Sequence, residues 1–396
     1  MAANSQYIQK LNRLRVLNYV RKYPGTSRPT IACGTDLSLA SMTNITSYLI
    51  EKKLLKECGT ENSEGAGRKS TLLKFNAQSF NLICVFISYN TVDFSYTDLN
   101  GNILERFCVG FTAADSENLE KTIGENILRL TNRYDTKKII GISIIISGII
   151  LNNNQFLFSS THRLREFNPV DLLEKETGIP VFLYNPSAVK ATFCVCCSQN
   201  IEDRYSNIIF IDLDGGIGAC QFYRGELNSA MLGEIGHTTV EKDGEPCFCG
   251  NRGCLEAMCS PSRITRLYKE YSGAACDDID FEYVAGRYKA GDTHAYDAVN
   301  ECAQYLGIAF ANLMNLFKPT TIIINIGDFA PLRDVVEKAK RIMQERAYHS
   351  FLDNIVITEI NMGVDDTIKG AAYASCDRIF DASHYDESQI SPCSFI

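Results

Sequence analysis

The run SNIIFIDLDGGIGACQFYRGEL, residues 206–227, constrains the fold more than any other stretch. Two β-rich apolar segments flank a glycine turn, the pattern of strand, tight turn and strand. The same order stands earlier in the chain. NLICVFISY, TVDFSYTDLNG and NILERFCVGF read as three successive strands, with a turn at Asn100-Gly101. Each run then gives way to alternating helices and strands. In the first half a helix is expected over 115–133, a strand over 138–149, a helix around 170–177 and the strand PVFLY. In the second half helices are expected near 262–269 and 295–317, followed by the strand TIIINIG, a helix over 331–347 and the strand NIVITEI.

Two βββαβα-like halves predict a duplicated α/β body of the actin-like ATPase type, two lobes with a ligand cleft between them. The 396 residues are long enough for it, and 45% of them are hydrophobic. The most apolar stretch, IIGISIIISGIIL at 139–151, is too short to span a bilayer and reads as a buried strand. The N-terminal MAANSQYIQKLNRLRV has no apolar signal-peptide core, so a cytoplasmic protein with no membrane partner is expected. In that compartment the 16 cysteines do not form a disulfide framework. Cys84, Cys108, Cys220 and Cys302 stand alone in apolar surroundings and read as core thiols. Cys194, Cys196 and Cys197 share a helix and read as packing residues.

Charge divides the chain. Residues 1–80 hold 12 Lys+Arg against 5 Asp+Glu, a net +7, and the remainder holds 27 against 42, a net −15. A basic head on an acidic body points to an anion as the partner of the head, nucleic acid foremost. Ile8, Leu11, Leu14, Leu17 and Val20 recur every three residues, an amphipathic helix with a basic outer surface that Pro24-Gly25 ends. Ser27 is placed to cap a short helix, RPTIACG, with Pro29 in its first turn. After a turn at Thr35-Asp36, Ser38 caps a third helix that runs to about Lys52. Met42, Ile45 and Leu49 form its inward stripe, leaving Ser41, Thr43, Asn44 and Ser47 outside. This order is that of a helix-turn-helix, with the third helix placed in a major groove and Asn44 able to read adenine. LLKECGTENSEGAGRKSTLLKF then reads as two strands around a glycine-rich tip, a wing whose Arg68 and Lys69 would meet phosphates or enter the minor groove. A three-helix packing module without DNA would share the apolar stripe.

Cys247-x-Cys249-x4-Cys254, with His237 ten residues earlier, supplies three thiolates and an imidazole, a tetrahedral zinc set. Gly250 and Gly253 let the backbone wrap closely around an ion. Four protein ligands leave no position for water, so one structural Zn2+ per chain is expected, and a disulfide or simple packing is the alternative.

Around these ligands, LGEIGHTTVEKDGEPCFCGNRGCLEAMCS (232–260) resembles the signature of the ROK family (repressor, open reading frame, kinase). The resemblance runs from the head to the GAAYA helix near 370–374, and the head has the layout found in the family's regulators, its repressor branch. It implies an N-terminal winged helix-turn-helix followed by an actin-like ATPase (ribonuclease H-like, sugar-kinase type) two-lobe domain. The expected segments are a DNA-binding domain over 1–80, a first lobe over 81–200 with a C-terminal helix over 366–396, and a second lobe with the zinc loop over 201–365. It implies the same four zinc ligands, and sugar hydroxyls held at Asn185, Glu234, His237 and Glu256. Carboxylates suit that contact, since each accepts several hydroxyl hydrogen bonds with charge assistance.

The catalytic half of the pattern is missing. The family's kinases use an Asp after the Asn as the base for the attacking hydroxyl, and here LYNPSAVKA places Pro186 there. Ser187 is a poor base. The first phosphate loop corresponds to FISYN (86–90), without glycine or acid and with bulky Tyr89. The second loop keeps Gly215, Gly216 and Gly218, but Asp212 and Asp214 beside it would repel phosphates unless a metal intervened. The turn after TIII reads NIGD where the kinases show consecutive glycines. No catalytic residue is therefore expected. The chain reads as a regulator, a repressor of sugar-uptake or catabolic genes, that senses a small sugar without phosphorylating it and binds a double-stranded DNA operator as a homodimer or dimer of dimers. The rivals are an active sugar kinase with an accessory head, and a regulator that answers to a protein partner.

Overall fold

The structure is a computed structural model and describes residues 2–60, 70–111, 118–151, 154–159, 164, 167–197, 207–228, 233–274 and 278–381. Internal contacts divide the chain into two units, one of Met1–Ile145, Phe167–Tyr184 and Ala371–Ile396, the other of Ile146–Glu166 and Asn185–Gly370. The sequence suggests three segments; this partition groups the head with the first sheet.

The first unit opens with helix α1 (Ala2–Lys22), strand β1 (Thr26–Ser27), helices α2 (Arg28–Thr35) and α3 (Leu39–Glu51), and strands β2 (Leu55–Thr60) and β3 (Thr71–Phe75). The three strands form one antiparallel sheet in the order β1-β3-β2. Three helices closed by a small sheet make a winged helix-turn-helix. Asp36, at φ 55°, ends α2 in the left-handed region, and Ser38 Oγ accepts the Ser41 N–H to cap α3. Ser27 precedes α2, but its hydroxyl bonds Thr30 Oγ1 at 2.8 Å instead of a backbone amide. Met42, Ile45 and Leu49 are buried, and so are Leu14, Leu17 and Val20 of α1. Ile8 is not; it is 50% exposed, and Val16, outside the three-residue stripe, is buried instead.

The same unit carries a five-stranded sheet. Its strands are β4 (Asn81–Ile87), β5 (Thr91–Asp98), β6 (Ile103–Gly110), β7 (Ile139–Ile146) and, after the β8–β9 hairpin (Ile149–Ile150, Phe156–Phe158), β10 (Val181–Tyr184). Helices α4 (Leu119–Arg133) and α5 (Pro169–Thr177) connect them. The order is β10-β7-β4-β5-β6. Cys84 is buried on central β4, but Cys108 is exposed. Edge strand β6 alternates half-buried and exposed residues, and Cys108 falls on its outer face, which corrects the expectation of a core thiol.

The second unit holds α6 (Pro186–Cys197), β11 (Asn207–Asp212), β12 (Gly218–Tyr223), β13 (Glu226–Leu227), α7 (Leu255–Met258), α8 (Pro261–Ser272), α9 (Phe281–Lys289), α10 (Thr293–Phe317), β14 (Thr321–Asn325), α11 (Asp334–Arg346), α12 (His349–Leu352) and β15 (Val356–Ile360). Helix α13 (Val364–Ile379) follows. The second sheet runs β13-β12-β11-β14-β15, with β11–β12 and β12–β13 antiparallel and β11–β14 and β14–β15 parallel. With the hairpin set aside, each sheet reads third-second-first-fourth-fifth in chain order. Two equal topologies from two equal element orders establish the duplication. The second unit's apolar packing centres on α10, where Val299, Leu306 and Phe310 are fully buried against Ile209, Ile211 and Val336. Among the described residues, no helix is long and apolar enough to cross a membrane.

Candidate metal centre, effector site and DNA-reading face

The four predicted ligands converge. The ligand atoms of His237, Cys247, Cys249 and Cys254 all lie within 4.8 Å of one another. Cys249 Sγ stands 3.7 Å from Cys254 Sγ, and Cys247 Sγ 3.6 Å from His237 Nδ1. Zinc–thiolate bonds of about 2.3 Å at tetrahedral angles set sulfur–sulfur edges of about 3.8 Å, and sulfur–nitrogen edges of about 3.6 Å. The donor set and its spacing fit that ion. Backbone hydrogen bonds hold the loop in this winding. Val240 N bonds Gly253 O at 2.8 Å, and Cys247 N bonds Asn251 O at 2.8 Å. Gly253 has φ +66°, and a Cβ there would lie 1.6 Å from Glu241 O, so no other residue fits.

The clip also aims neighbouring groups. Cys254 immediately precedes α7, which sets Glu256 in that helix's first turn. Glu256 Oε2 lies over the glycine loop after β11, 3.3 Å from where a Cβ on Gly216 would stand and 2.9 Å from one on Gly236. The Ile217 backbone N–H donates to its carboxylate, yet burial raises the Glu256 pKa to about 7, with Glu234 and Asp328 pushing the same way. Burial raises Glu234 too, and His237 opposes it. His237 Nε2 is 4.0 Å from Glu234 Oε2 while Nδ1 faces the thiols, so one ring presents an edge to each set. Asn185 caps α6: its Oδ1 accepts the Ser187 N–H at 2.9 Å and its Nδ2 donates to Gly148 O at 3.3 Å. Pro186 takes the first helical position, where a missing N–H costs nothing. Glu234, His237 and Glu256 thus gather at the glycine loop, and Asn185 reaches the same loop through Ser187, whose Oγ is 2.6 Å from where a Cβ on Gly218 would stand.

One group has no motif that announces it in the sequence. Lys190, on α6, is buried to 1% exposure and places its ammonium 2.6 Å from Asp214 Oδ2 and 3.2 Å from Asp212 Oδ2. Asp212 also accepts from Ser187 Oγ (2.9 Å) and Asn325 Nδ2 (2.7 Å). Burial works against the Lys190 charge, but the two carboxylates outweigh it and hold the ammonium above its ordinary pKa. Asp328, in the NIGD turn, accepts the Gly215 N–H at 2.9 Å. Two loop amides, at Gly215 and Ile217, are therefore bonded to the chain's own carboxylates. The sequence shows the carboxylates Asp212, Asp214 and Asp328 beside glycine turns, and the trace of their counter-ion is a lysine inside the apolar helix segment SAVKAT.

On α3, Ser41, Thr43, Asn44 and Ser47 are exposed together, with Ser38 at the cap. Arg68 and Lys69 lie outside the described residues.

A ROK family profile matches residues 82–377. The chain is 28% identical over 335 residues to the DNA-binding transcriptional dual regulator NagC of Escherichia coli, a match that covers 81% of each protein. It is 26% identical to the xylose repressor of Bacillus spizizenii, over 81% of this chain and 83% of that one. Among solved structures, a ROK family transcriptional regulator described as a homolog of the E. coli MLC protein superposes with a TM-score of 0.80 at 22% identity, over 95% of this chain and 98% of that chain. A ROK family glucokinase from Streptomyces griseus, solved with glucose and AMPPNP, superposes with a TM-score of 0.61 at 22% identity, over 74% of this chain and 98% of that chain. The two superpositions establish the fold.

Proposed function

The chain belongs to the ROK family, and on that premise we propose that it is a DNA-binding transcription regulator, a repressor of sugar-uptake or catabolic genes, whose kinase-like body senses a sugar without phosphorylating it. The observation that carries this reading is a winged helix-turn-helix joined to a sugar-kinase-type body whose glycine-loop amides, at Gly215 and Ile217, are bonded to its own carboxylates. Relatives named N-acetylglucosamine repressor and xylose repressor support it.

In this reading Asn185, Glu234, His237 and Glu256 receive the sugar hydroxyls. One structural Zn2+ on His237, Cys247, Cys249 and Cys254 keeps Glu256 and His237 in place for that contact, as a closed site does. Ser38, Ser41, Thr43, Asn44 and Ser47 face the operator, with Arg68 and Lys69 on the wing. The functional segments are 1–80, 81–200 with 366–396, and 201–365. A homodimer or dimer of dimers in the cytoplasm presents two heads to two half-sites. Sugar shifts the balance between arrangements that do and do not match the operator.

Gel-shift of the full-length protein on the DNA upstream of its own gene, with a panel of hexoses, pentoses and N-acetyl sugars, tests the reading. A sugar that releases or strengthens the complex is the expected result; no complex with any upstream fragment defeats it. The similarity to a glucokinase keeps one rival in view. Sugar-dependent ADP release with ATP and magnesium would make the chain a kinase.

A further inference from the structure

The outward face of α3 carries no charge. Leu39 is 55% exposed, and Ala40, Ser41, Thr43, Asn44 and Ser47 are exposed beside it. The basic groups stand off this face. The Arg13 guanidinium lies 3.4 Å above the Tyr48 ring, and Lys52 Nζ is 5.5 Å from the same ring at the far end of the helix. Arg28 is turned inward, bonding Thr46 Oγ1 at 2.8 Å and lying 4.0 Å from Glu57. Two hydroxyls on the face are partly committed within the helix: Ser41 Oγ pairs with Ser38 Oγ at 2.9 Å, and Thr43 Oγ1 donates to Leu39 O at 3.4 Å. What remains to read a base edge is one amide, Asn44, the apolar side chains of Leu39 and Ala40, and the Ser47 hydroxyl, which pairs with either type of base pair and so selects neither. The only carboxylate on α3, Glu51, is its last residue, seven positions beyond Asn44.

The major groove distinguishes base pairs by chemistry that this face meets selectively. Guanine presents two acceptors, best met by Arg or Lys, and cytosine presents a donor, best met by Asp or Glu. Adenine presents a donor beside an acceptor, which an amide matches with two bonds, and thymine presents a methyl group to apolar side chains. We propose that α3 reads A·T pairs, Asn44 bonding adenine and Leu39 and Ala40 packing on thymine methyls, while Arg13 and Lys52 contact flanking phosphates. The net charge of +7 on residues 1–80 matches the polyanion that would seat there. This inference rests on the DNA-binding function proposed above and adds to it the base composition of the half-site.

The test is selection of bound duplexes from a random-sequence pool by the full-length protein, at physiological salt, followed by sequencing. Half-sites with A·T pairs at the major-groove positions are expected. Enriched half-sites with G·C pairs at those positions overturn the inference and leave DNA binding intact. No enrichment at all defeats the DNA-binding function and the inference with it.

Two exposed-surface variants assign the contacts. Asn44→Ala is expected to reduce discrimination at one A·T position by about tenfold, and unchanged discrimination removes Asn44 from the readout. Replacing thymine by uracil in the selected duplex deletes the methyl and is expected to weaken binding severalfold. Leu39→Ala is expected to shrink that difference, with Ala40 keeping its share; a difference of unchanged size in the variant overturns the role given to Leu39.

Discussion

The His237–Cys254 clip and the Lys190 cluster bear on the same glycine loop by different means, the first setting Glu256 beside Gly216 and the second bonding Asp214. The clip draws its ligands from an 18-residue stretch of one loop, His237 to Cys254, and closes Glu256 onto the Ile217 amide. The cluster gathers Lys190 from α6, Asp212 and Asp214 from the end of β11, and Asn325 and Asp328 from the end of β14. A metal site is a local device whose strength comes from ion–ligand bonds. A buried ion set is a long-range device, and it is stable only while every member is paired. Between them, the amides of Gly215 and Ile217 are bonded to the chain's own carboxylates.

Removing the proposed zinc should have the largest effect. Stripping zinc with a chelator, or Cys247→Ser, is expected to unfold the 237–254 loop, lower the thermal midpoint and abolish any sugar-induced stabilisation. Atomic absorption with differential scanning fluorimetry checks it, and a metal-free protein of unchanged midpoint would dissolve the distinction between the two devices.

Lys190→Met comes next. It leaves Asp212 buried without its counter-ion, at an expected cost of about 3–5 kcal/mol in denaturant unfolding. The double variant Lys190→Met with Asp212→Asn should recover much of that loss. A single variant as stable as the wild type would show that the cluster is not an ion set.

Glu256→Gln probes the glycine loop on which both devices bear, because its carboxylate lies beside Gly216. The amide still accepts the Ile217 N–H and removes a carboxylate that burial disfavours, so stability should change by less than about 1 kcal/mol. Sugar-induced stabilisation should nevertheless be lost, and a sugar response of wild-type size would take Glu256 out of the effector site.

The smallest effect is expected far from both. Arg21 bonds Asp377 at 3.0 Å, and Asn18 Nδ2 bonds Phe380 O at 2.8 Å, joining α1 of the head to the C-terminal helix within the first unit. Asp377 is half exposed, so Asp377→Asn should cost about 0.2–1 kcal/mol. A loss of several kcal/mol would mean that this contact ranks with the cluster.

How much of the molecule is legible in the sequence depends on how local each feature is. The cap at Ser38, the stripe Met42/Ile45/Leu49 and the set His237/Cys247/Cys249/Cys254 each lie within one helix or one loop. Spacing alone locates them, because a turn of helix or a loop brings the residues together whatever the rest of the chain does. The succession of strands and helices along the chain is legible for a similar reason, since β-rich runs and glycine turns repeat in each half, whereas the order of strands within each sheet comes from the structure. Cys108 departs from expectation because the sequence does not show that β6 lies at a sheet edge, with one face outward. Ile8 departs from it because the apolar surface that receives α1 begins only at Leu14.

Periodicity, and donors adjacent along the chain, are enough to dictate the duplicated α/β body, the winged head and the convergence of His237 with Cys247, Cys249 and Cys254. They do not dictate that Lys190 neutralises Asp212 and Asp214, or that Asp328 takes the Gly215 amide. Those pairs join residues 22 to 113 positions apart. They form only when α6, β11 and β14 pack, and no local pattern encodes that packing.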